Sequence, residues 1–196
     1  MITRNSFNMD LVVFGIQGSG KGTQAKLLAK DFGYHIFETG GELRKIAASG
    51  TELGNTVKSY IDAGNLAPHL IVMEVVRTAV KAIPENQKIL FDGIPRDLVQ
   101  MKDFDSVLAQ AGRTIRCLQI TADKELCIQR ILARAKVEGR ADDQKEEAIR
   151  RRMQLFQDKT MPVIETYRAQ GKMVDTDGEG TVEEVYGRVK EVLRKG

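Results

Sequence analysis

At 196 residues, the chain is long enough for one domain with a full hydrophobic core. Its 30 Lys and Arg residues against 27 Asp and Glu give a net charge of +3, too small by itself to indicate a nucleic acid or a membrane surface as partner. No apolar run approaches the roughly 18 residues of a membrane-spanning helix, and the stretch MITRNSFNMD at residues 1–10 is too polar for a signal peptide. We therefore expect a cytoplasmic protein without a membrane or nucleic-acid partner.

The stretch VVFGIQGSGKGTQAKLL at residues 12–28 joins an apolar run to a helical pattern through a cluster of glycines. Gly15 to Lys21 has the spacing G-x-x-x-x-G-K that is typical of a phosphate-binding loop, although Gly22 stands where Ser or Thr is usual and the hydroxyl follows at Thr23. A strand at 11–15 and a helix beginning near Lys21 would direct amide N–H groups and the positive end of the helix dipole at one point. We predict a phosphate site here, and an ordinary glycine-rich helix cap is the alternative.

The rest of the chain alternates strand and helix patterns, which predicts a parallel sheet covered on both faces. The further strand candidates are residues 35–37, 89–92, 115–120 and 173–174. The interval between the second and third strands is too long for one crossover helix and holds helical patterns at 41–49, 51–62 and 69–83. We therefore expect an inserted helical lobe.

Polar residues that follow the second and third strands are candidate ligands, because parallel α/β sheets bind ligands beyond the carboxyl ends of their strands. Thr39 and Arg44 follow the second strand. Asp92 ends the third, where a carboxylate could hold magnesium or its waters. Arg96 and Gln100 are four residues apart and share one face if a helix follows. Each of these has a simpler explanation as a surface or turn residue, and the case depends on their convergence.

Several arginines follow the fourth strand, namely Arg130, Arg134, Arg140, Arg150, Arg151 and Arg152. Any one of them could belong to a solvated basic face. Together with Lys21 they fit phosphoryl transfer, in which negative charge spreads over phosphate oxygens. His35 and His69 are expected at a strand edge and a helix start and not as catalytic bases. Many arginines without a base fit a nucleophile that is already an anion, so we predict that the acceptor is a phosphate group.

Cys117 and Cys127 lie in an apolar strand pattern and a helix pattern, without metal-site or disulfide spacing. We expect both to be buried free thiols in a reducing compartment.

In this order, the motifs resemble those of the adenylate kinase family of nucleoside monophosphate kinases, from about Asp10 to Leu193. The matching segments are GIQGSGKGTQ, HIFETGGELR, GTELG, DAGNLAP, FDGIPRDLVQ and GRADD. Glycine between the lysine and the threonine is normal in this family, so that Gly18, Gly20 and Gly22 would leave room for the donor phosphates. The resemblance implies a P-loop NTPase fold: a three-layer α/β domain over residues 1–196 with a five-stranded parallel sheet, a helical monophosphate-binding lobe at about 38–67 and a short lid at about 134–143.

The resemblance also implies reversible transfer from ATP to AMP, giving two ADP, by a monomer that uses magnesium. ATP binding is expected at Gly18, Ser19, Gly20, Lys21, Gly22, Thr23, Arg130, Arg134 and Gly180. AMP binding is expected at Thr39, Arg44, Asn65, Leu66, Ala67, Gly93, Ile94, Pro95, Arg96, Gln100, Arg140 and Arg152. The expected catalytic residues are Lys21, Arg96, Arg134, Arg140 and Arg152. Asp92 and Thr23 are the expected magnesium contacts, through water.

Some residues depart from the family pattern, most of them around the acceptor lobe. Gln17 replaces a usual proline, Glu38 a small or serine-like residue, Gly41 an aspartate, Ala67 a valine, His69 an aspartate and Ile94 a phenylalanine. A kinase of UMP and CMP is the nearest alternative, but such kinases usually have alanine at the position of Thr39 and asparagine at that of Gln100. A nucleotide-binding protein without turnover is the alternative from another class.

The segment after Arg134 carries two further expectations. Only AKVEG separates Arg134 from Arg140, whereas long-lid relatives insert a lobe that often carries zinc-binding cysteines, so we predict a short lid without structural zinc. In the family, the arginine that meets the phosphates stands nine residues after the first of two lid-side aspartates. Counted from Asp142, this position is Arg151. The apolar face of Ile149 and Met153 instead selects Arg152, which we prefer, with Arg151 as a solvated neighbour.

Overall fold

The computed structural model describes residues 9–138 and 145–195. Its strands are β1 (Asp10–Phe14), β2 (His35–Glu38), β3 (Ile89–Asp92), β4 (Ile115–Thr121) and β5 (Met173–Asp177). Its helices are α1 (Lys21–Phe32), α2 (Thr39–Ala47), α3 (Glu52–Asp62), α4 (His69–Ala82), α5 (Leu98–Gln110), α6 (Lys124–Glu138), α7 (Glu146–Leu155), α8 (Met161–Ala169) and α9 (Val182–Lys195), and a π-helical segment, Phe156–Thr160, joins α7 to α8.

The strands form one parallel sheet in the order β2-β3-β1-β4-β5, which confirms the predicted α/β class. Alternate residues of β1 point to opposite faces: Val12 and Phe14 pack with α4, α5 and α8, whereas Leu11 and Val13 pack with α1 and α9. Both faces of the sheet are thus buried, as parallel strands require. The fold therefore has the three expected layers.

The largest differences from the predicted boundaries are at β5 and α2. β5 continues from Met173 to Asp177 instead of ending at 174, because backbone pairing with β4 does not need apolar side chains. α2 begins at Thr39, directly after β2, although Gly40 and Gly41 disfavour a helix there. Tertiary contacts override propensity at both places.

A buried ion pair supports the amino-terminal ends of β1 and β3. The Nη1 group of Arg113 donates to both carboxylate oxygens of Asp10 at 3.1 and 3.2 Å, and the Ile89 amide donates to the same carboxylate at 2.7 Å. Burial raises the pKa of Asp10, while the Ile89 amide and Arg113 act to lower it. This network joins distant segments at the end of the sheet opposite the polar strand ends.

The remaining predictions about individual elements can be compared with the described residues. Cys117 and Cys127 are both buried and free, and burial raises the pKa of both thiols. α2 and α3 occupy the range predicted for the inserted lobe. The lid segment is described only as far as residue 138, at the end of α6, so residues 139–143 of the range 134–143 lie outside the described residues. None of the described helices is long and apolar enough to cross a membrane.

Candidate active site

A cavity of about 440 Å³ opens at the carboxyl ends of β1, β2 and β3. It is bounded by the glycine-rich loop on one side and by α2, the segment after α3 and α7 on the other. The cavity lies where a parallel sheet places its ligands. Its lining includes most of the residues that the sequence predicts for binding and catalysis.

The loop before α1 presents backbone rather than side chains to the cavity. Gly18 and Gly20 have φ angles of 88° and 91°, and Gly20 caps α1 without a side-chain hydrogen bond. Lys21, Gly22 and Thr23 form the first turn of α1 and line the cavity, so the N-terminus of this helix is available to a phosphate.

The three loop glycines differ in their surroundings. A Cβ atom at Gly18 would lie 2.4 Å from the carbonyl oxygen of Cys127, so this glycine is needed for packing against α6. Around Gly20 no described heavy atom lies within 4 Å of such a Cβ, and at Gly22 the nearest is a carboxylate oxygen of Asp92 at 3.7 Å. The sequence-based account, which assigned all three to phosphate space, is thus incomplete at Gly18.

Lys21 and Asp92 form an ion pair on the wall of the cavity. Lys21 Nζ lies 3.9 Å from Asp92 Oδ1, and the side chains are 20 % and 12 % exposed. Thr23 lines the same cavity, so a carboxylate and a hydroxyl are both available beside the loop. These are the oxygen ligands that magnesium or its bound water accepts.

A second cavity of about 180 Å³ adjoins the first, and Gly20, Thr23 and Arg130 line both. It contains Ser19 and Gly180, the two predicted ATP residues that the main cavity lacks. Arg130 donates to the carbonyl oxygens of Gly178 at 3.3 Å and Gly18 at 3.5 Å. Arg130 therefore joins the phosphate loop to the segment that precedes α9.

On the opposite side of the main cavity, Thr39 and Gln100 are both buried. The Thr39 hydroxyl has no hydrogen-bond partner among residues 9–138 and 145–195. Gln100 Oε1 accepts the Arg96 amide at 3.0 Å, and no other bond of its carboxamide to a described residue is seen. Because the Arg96 amide can only donate, the Gln100 atom that faces it must be the oxygen Oε1. This sets the orientation of the carboxamide and leaves Nε2 as a hydrogen-bond donor for a ligand.

Arg44, Arg96 and Arg152 bring three guanidinium groups to this side of the cavity. Burial lowers the pKa of Arg96; Asp92 acts to raise it, and Arg152 and Arg44 lower it further. All three arginines line the same cavity. The arrangement concentrates positive charge opposite the phosphate loop, which favours an anionic ligand.

α7 places its consecutive arginines differently. Ile149 and Met153 are buried, as predicted, and Arg152 lines the cavity with Nη2 donating to the Ile61 carbonyl at 2.9 Å. Arg151 is exposed and absent from the cavity lining, but its Nε donates to Asn65 Oδ1 at 3.2 Å. Arg151 is therefore not simply a solvated neighbour, since it contacts the acceptor segment.

The structure brings nearly all the predicted site residues together. The main cavity is lined by Gly18, Gly20, Lys21, Gly22, Thr23, Thr39, Arg44, Asn65, Leu66, Ala67, Asp92, Gly93, Ile94, Pro95, Arg96, Gln100, Arg130, Arg134 and Arg152. Arg140, also predicted, lies outside the described residues.

Besides the contact of Arg151 with Asn65, two contacts were not predicted from the sequence. Glu38 accepts a hydrogen bond from Arg44 at 2.8 Å, and Thr160 on the π-helical segment donates to the Arg96 carbonyl at 2.9 Å. Glu38 departs from the family pattern, but its spacing of six residues from Arg44 is not a helical pairing, so no periodic signal in the sequence connects them. Thr160 is 64 positions from Arg96, and nothing local in the sequence indicates the contact.

Comparison with known proteins identifies the family. The family model described as adenylate kinase matches residues 13–172. The chain belongs to the adenylate kinase family. A protein of Thermus thermophilus named adenylate kinase is 37% identical over 184 residues, covering 93% of this chain and 96% of its own. Proteins of the same name from Parabacteroides distasonis and Stenotrophomonas maltophilia are 36% and 37% identical over 94% and 95% of this chain, and 97% and 100% of their own.

Membership of the adenylate kinase family confirms the resemblance seen in the motifs, the P-loop fold class and the prediction of a phosphotransferase. The metal predictions are a separate matter. Within the described residues, no group of three or more His, Cys, Asp or Glu side chains could hold a metal ion by itself. Asp92 with Thr23 would suit a magnesium ion that takes its other ligands from phosphate and water.

Proposed function

We propose that this chain catalyses reversible phosphoryl transfer between ATP and AMP, giving two ADP. The observation that carries the proposal is one cavity with a phosphate loop on one side and three guanidinium groups on the other. Two phosphate-bearing ligands could thus approach each other within the same enclosure. Holding two reactants in this way supplies much of the catalysis in phosphoryl transfer.

The donor nucleotide is assigned to the loop and the second cavity. The amides from Gly18 to Thr23 would hold its phosphates, and Lys21 would follow the group that moves. Arg130 and the backbone at Gly180 would contact the base side, since both line the second cavity. Arg134, which lines the main cavity, would meet the phosphates.

The acceptor nucleotide is assigned to the arginine side. Arg44, Arg96 and Arg152 would hold its phosphate, joined by Arg140 in the proposed lid. The segment Asn65–Ala67 and Gly93 to Pro95 would enclose the nucleoside. Thr39 and Gln100 would read the base, because each has a buried polar group without a full set of partners in the described structure.

The chemistry asks little of acids or bases. The acceptor phosphate is already an anion, so the proposed in-line transfer needs positioning and neutralisation of charge. His69 bonds to Asp103 at 2.9 Å and does not line the cavity. Magnesium, when bound with ATP, would neutralise phosphate charge; Asp92 and Thr23 would hold its waters. Closure of the short lid would exclude water from the transfer.

The alternative acceptors are UMP and CMP. Thr39 and Gln100 favour adenine over them, because kinases of UMP and CMP usually have alanine and asparagine at these two positions. The test is a coupled assay of ADP formation with AMP, UMP, CMP and GMP at fixed ATP and magnesium. We expect AMP to give the highest kcat/KM. A higher UMP rate would reassign the acceptor, and tight nucleotide binding without ADP formation would mean a binding protein.

We further propose that the protein acts as a cytoplasmic monomer with nucleotides as its only required partners. The buried free thiols of Cys117 and Cys127 support a reducing compartment. Light scattering at working concentrations would test the oligomeric state, and a stable dimer would contradict it.

A further inference from the structure

We propose that Glu38 weakens acceptor binding by competing with the acceptor phosphate for Arg44. This inference rests on the proposed function, because it concerns the monophosphate side of the same cavity. The inference adds a carboxylate of the protein to the side of the cavity where Arg44, Arg96 and Arg152 attract phosphate.

The geometry places this carboxylate on a guanidinium assigned to phosphate. Glu38 is the last residue of β2, Arg44 lies in α2, and Glu38 Oε1 is 2.8 Å from Arg44 Nη2. Both residues line the main cavity, with side chains 46 % and 34 % exposed. The pair is therefore open to the space that the acceptor would fill.

Of the carboxylates that line this cavity in the described residues, Glu38 and Asp92 are the two present, and they have different partners. Asp92 lies beside Lys21 and acts on Arg96, whereas Glu38 is paired with Arg44. The Glu38 carboxylate thus neutralises a cation of the acceptor side and none of the donor side. Its effect should be confined to acceptor binding.

Carboxylate and phosphate compete for guanidinium because both accept its N–H groups in the same planar geometry. An incoming phosphate must either replace Glu38 on Arg44 or share Arg44 with it. In the first case an existing ion pair is lost, and in the second two anions are held close together. Both outcomes weaken binding, but only moderately, because a partly exposed ion pair is weak.

Gly41 leaves the space that this side chain uses. A Cβ atom at Gly41 would lie 3.6 Å from Glu38 Cδ and 3.7 Å from Oε2. A longer side chain at 41 would therefore compete for the position of the Glu38 carboxylate, and an aspartate would add a second negative charge. The combination of glutamate at 38 and glycine at 41 is thus sterically and electrostatically consistent.

The test is Glu38→Gln, which removes the charge and keeps the size. We expect its KM for AMP, and the Kd for AMP alone measured by calorimetry, to fall about three- to tenfold, with the KM for ATP unchanged within about twofold. A variant that merely disturbed the fold would raise KM, not lower it. Higher salt should shrink the difference between the two proteins.

Glu42→Gln is the matched control. Glu42 lies in the first turn of α2, is 39 % exposed and pairs with Lys45 at 2.7 Å, but it does not line the cavity. Its removal changes the net charge equally, so we expect the KM for AMP to stay within about twofold of wild type. An equal fall in both variants would mean a general field effect and would overturn the proposal.

A double-mutant cycle locates the effect on Arg44. If Glu38 acts through this guanidinium, Glu38→Gln should lose most of its effect in an Arg44→Gln background. Glu38→Ser provides a second variant, for which the same fall is expected. If wild type neither binds nor phosphorylates AMP, the proposed function fails; if it does either and both Glu38 variants bind AMP no better, this inference alone is wrong.

Discussion

The two sides of the main cavity are built in different ways. The proposed donor side consists largely of contiguous backbone, from Gly18 to Thr23, packed directly on α6. The proposed acceptor side consists of side chains from distant segments, with Arg44 on α2, Arg96 after β3 and Arg152 on α7. A backbone site is encoded by a short motif, whereas a side-chain site is encoded by the fold. The donor side should therefore tolerate few substitutions, whereas substitutions on the acceptor side should change the affinity for the acceptor in smaller steps.

The largest effect is expected where the donor side depends on one side chain. Lys21→Met should lower kcat by about 10³-fold or more, because Lys21 supplies charge at the phosphates and little packing. Lys30→Met, an exposed position of the same helix, is the control and should stay near wild type. Steady-state assays with circular dichroism would separate lost chemistry from lost fold. Near-normal turnover in folded Lys21→Met would contradict the assignment of the whole site.

On the acceptor side, the consecutive arginines of α7 offer a direct comparison. Arg152→Ala should lower kcat by about 10²- to 10³-fold, because it removes a cavity-lining guanidinium from the reacting phosphates. Arg151→Ala should change kcat by less than about threefold, since it loses one exposed hydrogen bond to Asn65. Kinetics of both variants at saturating ATP would decide. The reverse ranking would mean that the count from the lid-side aspartates sets the register.

The third prediction concerns the stability of the fold, which should depend on the packing of the donor side against α6. Gly18→Ala combines a positive φ with a Cβ atom 2.4 Å from the Cys127 carbonyl, so it should lower the free energy of unfolding by about 3 kcal/mol or more. Gly50→Ala isolates the cost of φ, because Gly50 has φ +71° and no atom of the described residues lies within 4 Å of the added Cβ. We expect about 1 kcal/mol there by urea denaturation. Equal losses would show that the contact with α6 relaxes easily.

The same contrast explains what could be predicted from the sequence. Three features could be predicted from the sequence: the order of strands and helices, the phosphate loop, and the site residues at strand ends. Each depends on a local pattern or on the topology of a parallel sheet. The start of α2 at Thr39 could not be predicted, because tertiary contacts outweigh the two glycines that follow. The Glu38–Arg44 pair and the Thr160 contact with Arg96 were also missed, since they depend on how separate elements meet.

The smallest effect should come from the base reader on the acceptor side. Gln100 has two roles in the structure: its Oε1 accepts the Arg96 amide at 3.0 Å, and its Nε2 remains a donor for the ligand. Gln100→Ala should therefore weaken all monophosphates through Arg96 and weaken AMP further through the lost reading of the base.

The two roles separate in the ratio of kcat/KM values. Displacement of Arg96 acts on the phosphate that every acceptor carries, so it lowers all the values by the same factor and leaves their ratio unchanged. Loss of a donor to the base lowers the value for AMP alone, by about tenfold relative to UMP and CMP. Gln110→Ala, at the exposed end of the same helix, should change neither quantity. A uniform fall for all four monophosphates would assign Gln100 to positioning Arg96 and would leave Thr39, whose buried hydroxyl lacks a partner in the described structure, as the remaining candidate reader.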